Sequence, residues 1–67
     1  GIGYVAQKVI EEAGETVVAA LERKDEELHG EAADLLFHLS VLLAERGVTW
    51  SDVAGVLSAR HATSAKP

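Results

Sequence analysis

Five carboxylates stand in two short runs. Glu11, Glu12 and Glu15 belong to E-E-A-G-E, and Glu31 and Asp34 belong to E-A-A-D. Residues three apart on a helix share a face, so Glu12 pairs with Glu15 and Glu31 with Asp34. Two antiparallel helices that each carry such a pair can offer four carboxylates to one gap. Metal sites in bundle cores are built in this way from facing helices, and hard oxygen donors suit Mg²⁺ or Mn²⁺. The chain has no Cys and its histidines form no tight cluster, so nothing points to zinc. His38 lies one turn past Asp34. It either supports the acids or is a core histidine with a satisfied hydrogen bond.

The elements that must position these residues read as helices, because no stretch alternates at period two for long. A first helix is expected from about Ile2 to Lys24, with Gly14 costing about 1 kcal/mol against Ala in its interior. The break falls at Glu22 to Asp25. Asp25 is the expected N-cap of a second helix, with Glu26 and Glu27 in a first turn that favours acids. That helix should run to about Arg46, with Gly47 at the left-handed position beyond its end. Thr49 is the expected N-cap of a third helix, Trp50 to about Arg60. Asp52, three residues on, makes an Asp variant of the capping box.

Taken alone, the acids of the first helix look solvated. Ala6, Ile10, Ala13, Val17, Ala20 and Leu21 lie along one face, and Lys8, Glu12, Glu15 and, less centrally, Glu11 on the other. Any amphipathic surface helix has this pattern. The second helix argues differently. From Leu35 to Leu43 it reads L-L-F-H-L-S-V-L-L, apolar nearly all round, so it should be buried on most sides. Glu31, Asp34 and His38 share one of its faces. Acids at the edge of a buried helix are costly unless paired with cations or a metal. Only Lys8 and Arg46 stand where they could help, so a bound divalent cation accounts for the acids better. Trp50, Phe37 and Tyr4 read as packing residues, with Trp50 set against the second helix. His29 and His61 read as surface residues.

The totals narrow the class. Six basic residues against eleven acidic ones give a net charge of −5, which argues against general affinity for nucleic acid. No apolar run approaches the roughly 20 residues of a membrane span, and no signal-peptide pattern opens the chain. The expectation is a soluble, cytoplasmic protein with neither a nucleic-acid nor a membrane partner. A chain below about 70–80 residues seldom closes a stable core unaided, and with no Cys only metal or self-association can help. The first residue is not Met, and apolar residues begin at once with Ile2, Tyr4 and Val5, which reads as a piece of a longer chain. The fold class expected is all-α. It is a short bundle of three helices, N-terminally incomplete and completed by a homodimer in which second helices of two copies pack together. Residues 1–60 form the domain and residues 61–67 a flexible tail.

The pattern E-E-x-x-E, fifteen residues, then E-x-x-D resembles the signature of the all-α nucleoside triphosphate pyrophosphohydrolases, the MazG-like group. Within that group the chain is most similar to the phosphoribosyl-ATP pyrophosphatases of histidine biosynthesis. The similarity lies in K-V-I-E-E-A-G-E (Lys8 to Glu15), E-A-A-D-L-L-F-H-L (Glu31 to Leu39) and L-L-A-E-R-G-V-T-W-S-D-V (Leu42 to Val53), and covers most of residues 3–57. In one respect the chain departs from the family, whose members carry a further helix before the equivalent of Gly1.

The resemblance implies hydrolysis between the α- and β-phosphates of phosphoribosyl-ATP to phosphoribosyl-AMP and pyrophosphate, with Mg²⁺ as cofactor and Mn²⁺ as a possible substitute. By position, the implied metal ligands are Glu12, Glu15, Glu31 and Asp34. Glu11 is either a fifth ligand or the residue that orients water, which makes Glu11 and Glu12 the implied catalytic acids. Lys8, one turn before Glu12, is a candidate substrate contact at a phosphate. Equally, it pairs with Glu11 or Glu12, an exposed interaction contributing about 0.2–0.5 kcal/mol. The chemistry suits the acids, because bare carboxylates repel a triphosphate and carboxylates loaded with a divalent cation attract it. Two alternatives stand beside this reading. One is a house-cleaning enzyme acting on other nucleoside triphosphates. The other is a non-enzymatic dimerisation module with an acidic face.

Overall fold

A computed structural model describes residues 1–64. It contains three helices, α1 (Ile2–Leu21), α2 (Asp25–Glu45) and α3 (Trp50–Ser64), and the described residues contain no strand. The all-α class read from the sequence is the observed one. α1 and α2 form a helical hairpin closed by three residues, while α3 touches the pair only lightly.

The helix ends explain themselves. Past α1, the Lys24 N–H donates to the Ala19 carbonyl at 3.0 Å and the Arg23 N–H to the Ala20 carbonyl at 3.2 Å. Past α2, the Val48 N–H reaches Leu43 at 2.9 Å and the Gly47 N–H reaches Ala44 at 3.0 Å. Both are Schellman closures, which satisfy orphan carbonyls and require a left-handed residue. Gly47 supplies it at φ +69°, as its residue type suggests. At the first closure Arg23 supplies it at φ +59°, a conformation disfavoured by about 1–2 kcal/mol for a residue with a Cβ. The first helix therefore stops at Leu21, short of the expected Lys24, because the reversal begins with Arg23. Asp25 is the first helical residue of α2, with Lys24 in the cap position and no side-chain cap bond.

The start of α3 follows its sequence. The Asp52 N–H donates to Thr49 Oγ1 at 3.1 Å, and the Thr49 N–H donates to Asp52 Oδ2 at 2.9 Å. The Thr49 backbone N–H, and after it the Thr49 hydroxyl, hold the Asp52 carboxyl below its ordinary pKa. Trp50 docks on α2 as expected, its indole N–H donating to Ser40 Oγ at 2.8 Å while Ser40 Oγ donates to the Leu36 carbonyl at 2.7 Å. α3 runs on to Ser64, so His61 to Ser64, expected in the tail, are helical. The rest of that expected tail, residues 65–67, lies outside the described residues.

The packing face of α1 differs from the expectation. Val5, Val9, Glu12, Thr16 and Ala19 line the side turned to α2, a stripe at helical spacing. Glu12 is therefore inside the hairpin, and Ile10, Val17 and Leu21 are outside, Leu21 at 78% exposure. The sequence pattern located an apolar face without saying what covers it: α2 takes the stripe carrying Glu12, and the larger apolar face is left open.

Little closes behind that hairpin. Ala19 is the only buried apolar residue among those described, and Leu36 and Phe37 of α2 are exposed. The molecule is flat, 37 × 32 × 14 Å, with a radius of gyration of 14.5 Å, against about 11 Å for a compact domain of this length. Exposed apolar residues in such number favour association. We expect self-association that covers Ile10, Val17, Leu21, Leu36 and Phe37. Sedimentation equilibrium should then give twice the chain mass at micromolar concentration, and the melting temperature should fall on dilution. A folded monomer with a dilution-independent melting temperature contradicts this.

Candidate functional site

Along the hairpin, α1 and α2 border an open cleft of ≈ 550 Å³ lined by Ile10, Glu11, Gly14, Glu15, Val18, Ala19, Glu27 and Glu31. The size is within the range of small-molecule sites, roughly 300–1,000 Å³. Gly14 lines the cleft in the middle of α1, and a Cβ there would meet nothing within 4 Å. Four of the lining side chains are carboxylates. Glu11 and Glu15 come from successive turns of α1, and Glu27 and Glu31 from successive turns of α2.

Glu15 and Glu31 meet across the cleft. Hydrogen bonding to Glu15 raises the Glu31 pKa most; burial and the negative charges of Glu15, Asp34 and Glu12 add to it. Like charges held this close favour a shared proton or a cation. Glu11 is held on its outer side, accepting from Gln7 Nε2 at 3.0 Å and facing Lys8 Nζ at 3.7 Å. The Glu11 charge is the main cause of a raised Lys8 pKa. Of the two readings of Lys8, the ion pair with Glu11 is thus present; it leaves the Lys8 side chain partly exposed, at 31%.

Glu12 is placed apart from the cleft lining. It is 5% exposed, and the Nδ1–H of His38 donates to its Oε1 at 2.6 Å. The same nitrogen lies 3.2 Å from the Asp34 carbonyl oxygen. A carbonyl can only accept, so Nδ1 carries the proton. Asp34 itself is exposed, one turn below His38. Sequence reasoning thus named Glu11, Glu15 and Glu31 of the cleft and missed Glu27. Its signal was the i, i+4 relation to Glu31, outweighed by its place in the acidic first turn of α2.

The donor chemistry fits a hard divalent cation. Every candidate ligand is a carboxylate on one of two facing helices, and the crowding of Glu15 and Glu31 is what such an ion offsets. Among the described residues no three acidic or histidine side chains already stand at ligand spacing in the single chain. The side chains of Glu15, Glu31 and Asp34 are at the cleft or the surface, where they can turn.

Comparison with known proteins decides the family. The phosphoribosyl-ATP pyrophosphohydrolase family model matches residues 1–61. The chain belongs to that family. It is 58% identical over 64 residues, 96% of its length, to a phosphoribosyl-ATP pyrophosphatase of Sphingopyxis alaskensis. It is 52% identical over the same span to one from Zymomonas mobilis. A histidine biosynthesis bifunctional protein of Thermus thermophilus is 51% identical over 61 residues, which are 91% of this chain and 28% of that protein. The chain spans 59% and 60% of the two pyrophosphatases. No solved structure matches it. Membership of the phosphoribosyl-ATP pyrophosphohydrolase family agrees with the resemblance read from the acid signature. Among the described residues, no helix is long and apolar enough to cross a membrane.

The raised Glu31 pKa has a consequence with a definite sign. The native state binds this proton more tightly than the unfolded chain. The contribution is fully present below the ordinary Glu pKa and is lost as pH rises through the raised native value. In chelator, Glu31→Gln should therefore melt higher than wild type at neutral pH and show a flatter dependence of Tm on pH across the carboxylate range. Melts followed by circular dichroism check this; an equal or lower Tm at neutral pH contradicts it.

Proposed function

We propose that the chain carries the Mg²⁺-dependent site that hydrolyses the α–β phosphoanhydride of phosphoribosyl-ATP, giving phosphoribosyl-AMP and pyrophosphate in histidine biosynthesis. The observation that carries the reading is the pairing of Glu15 with Glu31 across the α1–α2 cleft, in a chain of this family. Mn²⁺ has the same preference for oxygen donors. A second copy of the chain is proposed to complete the bundle, supported by the exposed apolar faces of α1 and α2.

In this reading Glu12, Glu15, Glu31 and Asp34 hold the cation. When bound, Mg²⁺ supplies positive charge at the phosphate oxygens and a water of lowered pKa. The chain's own residues do the rest. Glu15 and Glu31 open the cleft to the triphosphate only when their charges are offset, which makes substrate binding conditional on the loaded site. Glu11, which lines the cleft and contacts Gln7 and Lys8, would orient the attacking water or add a ligand. Lys8 can turn its exposed ammonium from Glu11 toward a phosphate oxygen at little cost, since the exposed pair contributes only about 0.2–0.5 kcal/mol. Phosphoryl transfer needs mainly positioning and electrostatic stabilisation, so no nucleophilic side chain is required.

Replacing Glu15 or Glu31 by Gln, or Asp34 by Asn, should lower pyrophosphate release from phosphoribosyl-ATP by about 100-fold or more, the scale on which one preorganised electrostatic group acts. The helical signal should stay intact. A nucleotide panel run beside phosphoribosyl-ATP decides the substrate: faster turnover of another triphosphate points to a house-cleaning role. Full activity in Asp34→Asn contradicts the assignment of that ligand.

A further inference from the structure

His38 is the one imidazole inside the hairpin, and its contacts are specific. Its side chain is 20% exposed and that of Glu12 6%. One proton on Nδ1 faces two acceptors, Oε1 of Glu12 at 2.6 Å and the Asp34 carbonyl at 3.2 Å. The first acceptor belongs to α1 and the second to α2, so one ring spans both helices at the level of two candidate ligands. Phe37, next in sequence, makes a T-shaped contact with the ring, with centroids 5.1 Å apart and planes at 75°.

We propose that His38 is a positioning residue for the metal site: its Nδ1–H pins one oxygen of Glu12 and sets that carboxylate, relative to Asp34, in the orientation in which it binds the cation. The inference rests on the metal reading above. Carboxylates that bind metals are commonly hydrogen-bonded in turn, and losing such a partner costs about 10–100-fold in metal affinity. Among the described residues no other side chain donates to Glu12, so the effect concentrates on this one donor. Asn at position 38 can place an amide N–H near the position of Nδ1, whereas Leu cannot donate at all.

The test is calorimetric titration of the full-length protein with MgCl₂, for wild type, Glu15→Gln, His38→Leu and His38→Asn, with melting temperatures in chelator measured alongside. Wild type should bind saturably and Glu15→Gln should not. His38→Leu should bind about 10–100-fold more weakly, and His38→Asn should recover most of the affinity. A purely structural His38 would lower the melting temperature of His38→Leu and leave the affinity of the folded protein unchanged; that result overturns the inference and spares the metal reading. Equal weakening in the Leu and Asn variants also overturns it, since the donor would then not matter. Absence of saturable binding by wild type overturns the metal reading and the inference with it. Where His38→Leu does not fold, His38→Gln replaces it. Its amide reaches one bond too far, so it should bind more weakly than His38→Asn, and equal affinity overturns the inference.

Discussion

A carboxylate sits where two helices must touch, and the hairpin is arranged around that fact. Glu12 lies in the packed stripe of α1 at 5% exposure. A buried charge without a partner costs several kcal/mol, so this register of α1 on α2 is tolerable only with a donor opposite. His38, 26 residues away in sequence, is that donor. Sliding α1 by one turn would bring Lys8 or Thr16 to the same level and leave Glu12 unpaired. The pair thus acts as a pin for the register, and the register in turn brings Glu15 opposite Glu31.

Two kinds of acid follow from that register. Glu12 is enclosed, hydrogen-bonded and fixed. Glu15 and Glu31 are open to the cleft, and hydrogen bonding to Glu15 keeps the Glu31 pKa up, with burial and the nearby negative charges adding to it. Packing stabilises the first, and the second stores a repulsion that a cation or a proton relieves. A site of this type is poised for ligand at the cost of some stability, the familiar compromise at functional positions.

The open outer faces belong to the same design. A hairpin that turns Glu12, Thr16 and Ala19 inward has too little apolar area inside to close a core, and Ile10, Val17, Val18, Leu21 and Leu36 are left exposed. The connections are nonetheless well specified. Both reversals are Schellman closures, and Thr49 with Asp52 caps α3 reciprocally. Local structure is therefore complete in this chain while burial is not.

By itself the sequence determined the helices, their approximate ends and the acid signature that led to the family. These depend on local chemistry: helical spacing, Gly47 at a positive φ, a capping box, carboxylates three residues apart. It also named three of the four acids of the cleft. The tertiary structure decided which face of α1 turns inward, that Glu27 joins the cleft, and that His38 is tied to Glu12. Periodicity reports that a helix has an apolar stripe but not which neighbour covers it. Here α2 takes the stripe carrying Glu12, because a hydrogen bond across 26 residues compensates one buried carboxylate, and no local pattern encodes a contact made at that separation.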